Sequence, residues 1–298
     1  MSIIQEHLKE KKVLILDGAM GTTLFESGLT TGDSPEEWNI TNPETIQNIH
    51  RSYIEAGSDL ILTNSFGGSR FRLQLHGLEK NVEEINLLAG QNARIASEHV
   101  QHPVLIGGSM GPSGELLTPL GLLTTNEASE GFAEQGKALD KSGVDLLWFE
   151  TFSSLEEVEA GVRGVKEVSD LPIIVTMSFD TAGKTMMGVS GEEMGERLSA
   201  LEINGIGVNC GANLDDSQAA LLKIKSTCGN LPLISKVNAG IPEWKDGHFC
   251  YDGTPEIMAD YAVETYKAGV SLIGGCCGST PEHVSSIAKA VRDISISS

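Results

Sequence analysis

Long apolar runs are missing from this chain: no uninterrupted stretch of its 298 residues approaches the length needed to cross a bilayer. Basic residues are scarce as well. Lys and Arg number 21 against 41 Asp and Glu, a formal net charge of −20. Such a field repels phosphate backbones and anionic lipid, so neither nucleic acid nor a membrane surface is the expected partner. The opening segment, residues 1–12, is too charged to hold the apolar region of a signal peptide. Five cysteines, an odd number scattered without regular spacing, give no secreted disulfide framework. A reducing cytoplasm, where thiols stay free, is the expected compartment. Aromatics are few, with 3 Trp, 4 Tyr and 8 Phe, so any site that needs aromatic faces draws on a short set. No low-complexity linker or abrupt compositional shift divides the chain, and one domain over 1–298 is expected.

What the chain does have is a recurring short run of β-branched and apolar residues. The runs are Val13–Asp17, Asp59–Asn64, Val104–Ser109, Val144–Glu150, Ile173–Ser178, Gly205–Asn209, Leu233–Val237 and Val270–Gly275. Helical patterns separate them, as in Asn42–Glu55, Val82–Glu98, Asn126–Lys141, Leu155–Val168 and Thr254–Ala268. Several of these end in Gly before the next run (Gly57, Gly143, Gly269), the usual helix stop. Strands alternating with helices predict a parallel sheet with right-handed crossovers, closed into a (β/α)8 TIM barrel. An eight-strand doubly wound sheet satisfies the same strand count and is the alternative.

Every run finishes in polar chemistry: Asp17, Thr63-Asn64, Ser109, Glu150-Thr151, Ser178, Asn209-Cys210, Asn238 and Cys276-Cys277. In a barrel these ends share one mouth, where active sites of the fold sit. Cys276 and Cys277 make a poor structural disulfide with each other, and in a regular strand they would face opposite ways. Gly274, Gly275 and Gly278 free the backbone to turn both sulfurs toward one point. With Cys210 they form a three-thiol set, which leaves a fourth position open, as catalytic zinc (Zn2+) requires. The plainer reading treats them as small buried hydrophobes, which is how Cys228 and Cys250 are read. His50, His76 and His283 lie on or beside helical patterns and are read as packing or surface residues.

Four segments carry a resemblance: Asp17-Gly-Ala-Met-Gly-Thr22, Leu62-Thr-Asn-Ser-Phe-Gly67, Gly207-Val-Asn-Cys210 and Gly274-Gly-Cys-Cys-Gly278. Through them the chain resembles the zinc-dependent homocysteine S-methyltransferases over essentially its whole length. Ser109-Met-Gly-Pro112 and the segment Thr176–Gly188 are most similar to the short bacterial betaine–homocysteine enzymes. The resemblance implies methyl transfer to homocysteine sulfur, giving methionine, with Cys210, Cys276 and Cys277 holding the zinc. It further implies that Asp17 and Glu150, helped by Thr63, bind the substrate ammonium. The amides around Gly18, Ala19 and Met20 are similar to the family's carboxylate cradle. A helix-capping role for Asp17 is the plainer alternative.

A methyl donor with an onium centre calls for aromatic faces. The candidates are Trp38 after the first strand, Phe66 after the second, and Trp244 and Tyr251 in the loop after the seventh. Trp38 resembles a donor-contacting tryptophan of the animal betaine enzymes. Gly67 stands where those enzymes have a tyrosine, a departure that keeps sulfonium donors such as dimethylsulfoniopropionate or S-methylmethionine open beside betaine. Two other functions compete: a homocysteine module that takes its methyl group from a separate corrinoid protein, and a non-catalytic zinc scaffold. No Asp-x-His-x-x-Gly cobalamin segment is present. Oligomeric state is open.

Overall fold

The structure, a computed structural model, describes residues 2–98, 100, 102–245 and 248–297. Ten strands are ordered along the chain: β1 Leu14–Ile15, β2 Leu60–Leu62, β3 Leu105–Met110, β4 Leu146–Phe152, β5 Ile173–Met177, β6 Gly205–Cys210, β7 Leu233–Val237, β8 Pro242–Lys245, β9 His248–Tyr251 and β10 Leu272–Gly275. Eight of them form one sheet in the order β1-β10-β7-β6-β5-β4-β3-β2. Each neighbouring pair is parallel. A parallel bridge from Leu16 to Leu60 brings the two ends together. The sheet is therefore a (β/α)8 barrel, and the doubly wound alternative is excluded by this closure.

Alternation along the strands divides the apolar residues into two layers. Leu14, Leu16, Leu60, Leu62, Leu105, Leu146, Trp148, Ile174, Ile234 and Leu272 fill the barrel axis. A larger cluster lies between strands and helices, and includes Ile15, Ile106, Phe149, Val175 and Ile273. The N-terminal helix Ile3–Lys11 sets Ile4 against the axial cluster and closes the bottom of the barrel. Helices begin where side chains satisfy their free amides. Thr124 and Glu127 form a capping box for Thr125–Lys141, and Ser154 caps Leu155–Lys166. Gly143, at φ +83°, turns the chain out of the first of these helices into β4. Among the described residues, no helix is long and apolar enough to cross a membrane.

Two features depart from the regular repeat. The segment after β7, read from sequence as a loop, is a β-hairpin: Pro242 pairs with Tyr251 and Lys245 with His248. β4 slips register against β5 between Phe149 and Phe152, so Glu150 and Thr151 bulge. A bulge shifts the faces of the residues beyond it, and here Phe152 joins Phe149 in the outer layer.

Candidate active site

The thiols stand on either side of β7. Cys210 ends β6, with its backbone in the left-handed region at φ +54°. That conformation costs a non-glycine residue about 1–2 kcal/mol, so the surroundings must hold it there. Thr151, at φ +64° in the neighbouring bulge, does so with Asn209: its N–H donates to Asn209 Oδ1 at 2.7 Å, and Asn209 Nδ2 donates to its hydroxyl at 2.6 Å. Cys276 and Cys277 follow β10. Asn238, just past β7, ties the two thiol loops together. Its Nδ2 donates to Gly211 O at 3.0 Å, and its Oδ1 accepts from Cys277 N–H at 3.1 Å.

The result is a compact cluster. Cys210 Sγ lies 3.0 Å from Cys276 Sγ, and all three sulfurs fall within 4.8 Å of one another. Zinc–thiolate bonds of about 2.3 Å in a tetrahedron set sulfurs about 3.8 Å apart. The donor set therefore fits zinc after small side-chain adjustments. Hydrogen bonds from Cys210 and Cys276 drive the Cys277 thiol well below its ordinary range, while the same contacts drive Cys210 up. The Tyr251 hydroxyl also bonds to Cys277, and its ring covers Gly278, where a Cβ would come within 2.3 Å of it. Among the described residues no histidine or carboxylate joins the cluster.

A second group, of charged residues, lies deeper in the same mouth. Asp17 ends β1 fully buried; its Oδ2 accepts from Leu62 N–H at 2.7 Å. Glu150, on the inward face of β4 with Leu146 and Trp148, accepts the Ser109 hydroxyl. Burial raises both carboxyls, Glu150 to about 7. Between them stands Lys236 of β7, 3.3 Å from Asp17 Oδ1 and donating to Gly18 O at 3.3 Å. Burial alone would lower its ammonium, but Asp17, Cys276 and Glu150 outweigh that and keep it charged. Thr63 reaches this group indirectly, accepting from Ser109 N–H at 3.0 Å and so holding the serine that holds Glu150.

The Gly18–Met20 segment closes this side of the mouth. Gly18 packs so tightly that a Cβ would meet the Tyr53 ring at 2.5 Å and Ser279 O at 2.6 Å. Ala19 N–H is already committed, donating to Ser279 O at 3.0 Å. Met20 opens a helix, so its N–H has no intrahelical acceptor. The aromatic candidates spread around the rim. Trp38 is half-buried against the outer core, and Phe66, 36% exposed, lies on Gly111. The Trp244 side chain lies outside the described residues. Gly67 has a physical reason: its N–H donates to Glu36 Oε1 at 2.7 Å, and a Cβ would press on that buried carboxylate at 2.8 Å.

A three-thiol cluster beside two inward acids at a barrel mouth is a constellation that comparison can place. The family model of the homocysteine S-methyltransferases matches residues 14–291. The chain belongs to this family. Methionine synthases of Mycobacterium leprae and Mycobacterium tuberculosis are 30% and 29% identical to it over 94% and 95% of its length. The chain spans only about a quarter of those relatives, 24% and 25%. Among solved structures, the homocysteine methyltransferase MmuM of Escherichia coli in its oxidised form is 25% identical with a TM-score of 0.79, covering 95% of this chain and 97% of that one. The metallated form of MmuM superimposes with a TM-score of 0.82 at 24% identity, over 96% and 99% of the two chains.

Sequence reasoning singled out the thiols and acids of this family member but passed over Lys236, Ser109's bond to Glu150, and the Asn238 tie. Lys236 left a trace: it is the one charge in the apolar run Leu233–Val237. Nothing local distinguishes Asn238 from an ordinary strand-end polar residue.

Proposed function

We propose that the protein transfers a methyl group from glycine betaine to the sulfur of homocysteine, releasing methionine and dimethylglycine. The observation that carries the acceptor half is the convergence of Cys210, Cys276 and Cys277 beside Glu150 and Asp17 at one mouth. Zinc bound by the three thiolates supplies the positive charge that keeps an acceptor thiol deprotonated at neutral pH. Glu150 takes the ammonium: among the described residues its carboxyl has only the Ser109 hydroxyl as a hydrogen-bond partner, and an arriving cation favours its ionised form. Asp17 adds charge on the opposite wall, and the Gly18–Met20 backbone faces the carboxylate. The acceptor sulfur attacks the methyl carbon in line, the C–N bond breaks, and its electron pair stays on nitrogen. No proton moves in that step. The protein's work is placement and exclusion of water.

The donor half rests on the likeness of Ser109–Pro112 and Thr176–Gly188 to the betaine enzymes, and on Trp38, Phe66 and Tyr251 as aromatic faces for an onium methyl. A second reading follows from the methionine synthases, of which this chain spans a quarter: a separate corrinoid protein supplies the methyl group. Zinc-loaded protein, homocysteine and a donor panel of betaine, dimethylsulfoniopropionate, S-methylmethionine and methylcorrinoid separate these. Methionine is expected from betaine, with Trp38→Ala raising the betaine KM about 2- to 30-fold and sparing that of homocysteine. Methionine from a sulfonium or the corrinoid alone would reassign the donor; none from any donor would end the methyltransferase reading.

A further inference from the structure

β7 carries one charge into the barrel. Its Ile234 belongs to the axial cluster, and Lys236, two residues on, faces the same way, while the Ser235 hydroxyl points outward to Tyr261 of the helix Pro255–Lys267. A lysine buried there is expensive, because its ammonium loses water and an ion pair rarely recovers the whole cost. Packing does not require it. Gly274, level with Lys236 in the β10–β7 register, lies so close to the first strand that a Cβ would meet Leu16 Cβ at 2.5 Å and Asp17 O at 2.9 Å, and Lys236 Nζ reaches to 3.3 Å from Asp17 Oδ1 there.

The partners it finds are incomplete. An ammonium has three N–H donors. Among the described residues Lys236 donates one hydrogen bond, to Gly18 O, and lies 3.3 Å from Asp17 Oδ1. That Asp17 oxygen, fully buried, takes no well-aligned hydrogen bond from any described residue. Ser279 Oγ, two residues beyond Cys277, is buried and likewise takes no hydrogen bond among the described residues. A lysine kept only to neutralise Asp17 would be expected to bond it squarely. This one lies equally far, 3.3 Å, from the Asp17 carboxylate and from the Gly18 carbonyl, beside the Ala19 amide that Ser279 O already occupies.

We propose that Lys236 receives the carboxylate of the amino-acid acceptor, and so restricts the enzyme to thiols that bear an α-carboxylate. The proposal rests on the homocysteine reading and sharpens it. Each charge of a zwitterion then meets its opposite: the ammonium meets Glu150 and Asp17, the carboxylate meets Lys236 and the free amides of the Gly18–Met20 turn. Backbone amides alone are one donor short, because Ala19 N–H is committed.

The test is calorimetric titration of zinc-loaded protein with homocysteine, with aminopropanethiol, which lacks only the carboxylate, and with sulfanylbutanoate, which lacks only the ammonium. Lys236→Met and Lys236→Gln should weaken homocysteine and sulfanylbutanoate about 10- to 100-fold, the loss expected for a charged hydrogen bond, and leave aminopropanethiol within about twofold. Equal losses for all three thiols would make Lys236 a structural counter-ion and overturn the proposal. Should neither variant fold, the wild-type protein still decides: a preference for homocysteine over aminopropanethiol below about threefold removes the carboxylate contact. Failure of the wild type to bind any of the three would instead fell the homocysteine reading itself.

Discussion

Replacing Glu150 with glutamine separates charge from shape at the site. The amide keeps an oxygen to accept the Ser109 hydroxyl, so the bulge and its neighbours can stay as they are. What is lost is the proposed partner for the substrate ammonium, a contact worth about 1.5–3 kcal/mol, or about 10- to 150-fold in Kd. That full loss is expected at pH 8, where a carboxyl of pKa about 7 is ionised. At pH 6 it is largely protonated, and binding must first expel the proton at a cost of about 1.4 kcal/mol. The wild-type advantage should therefore shrink about tenfold between pH 8 and pH 6. Titration of homocysteine into zinc-loaded wild type and Glu150→Gln at both pH values measures the ratio. A ratio that does not change with pH would refute the role of a buried, titrating acid.

Stability should move the other way. The folded-state value lies above the ordinary 4.5 because burial penalises the charge. The protonated carboxyl thus favours folding below pH 4.5, and the benefit is lost as pH rises through about 7. Ionised Glu150 costs the fold on the order of 3 kcal/mol at pH 8. Glu150→Gln should be the more stable protein there by up to that amount, with the gap closing toward pH 4. Denaturant unfolding that ranks the variant below wild type at pH 8 would contradict this balance.

Three further outcomes follow from the geometry. Cys276→Ala should purify with far less than one zinc per chain and an unchanged far-ultraviolet spectrum; full occupancy by metal analysis would remove this thiol from the centre. Asn238→Ala, which cuts the tie between Gly211 and Cys277, should weaken zinc binding about 10- to 100-fold in a chelator competition, as loss of a supporting contact does; an unchanged affinity would show that the loops hold themselves. Phe132 packs on Phe71, Phe149 and Phe152 with centroids 5.7–6.5 Å apart, so Phe132→Ala should cost about 3–5 kcal/mol in unfolding free energy without altering zinc content.

The barrel was legible in the sequence because its signal is local. Buried parallel strands are short apolar runs, and the helices between them carry their own caps and glycine stops, so the eight runs read from sequence each contain or overlap an observed strand. The thiols were legible because Cys-Cys framed by glycine has few other uses. Lys236 was not, since its significance depends on Gly274 opposite and Asp17 two strands away, neither of which lies near it in the chain. The inward face of Glu150 follows from period two, since it continues Leu146 and Trp148 of the axial cluster; what no such pattern announces is the bulge that sets Thr151 at φ +64° and turns Phe152 to the outer layer. The hairpin Pro242–Tyr251 hid because a strand pair outside the barrel needs no apolar run to bury. Long-range pairing, rather than residue type, is what sequence reading missed.

The two ends of the barrel show what distinguishes a site from a fold. At the N-terminal end the buried Asp59 is saturated: Lys11 Nζ lies at 2.6 Å, Arg292 at 3.1 Å, and the Ile15 N–H donates to it at 2.9 Å. That carboxylate fastens the chain termini to the second strand and asks for nothing more. At the C-terminal end the burial is the same, but the partners are missing. Among the described residues Asp17 Oδ1 has the Lys236 ammonium at 3.3 Å but no well-aligned hydrogen bond, Ser279 Oγ has none either, and Cys210 is held in a left-handed turn. Buried polar groups left in this state each cost roughly 1–3 kcal/mol. On the proposed function this deficit is the capacity to bind a metal and a zwitterion, which would complete the set of contacts that the chain leaves open.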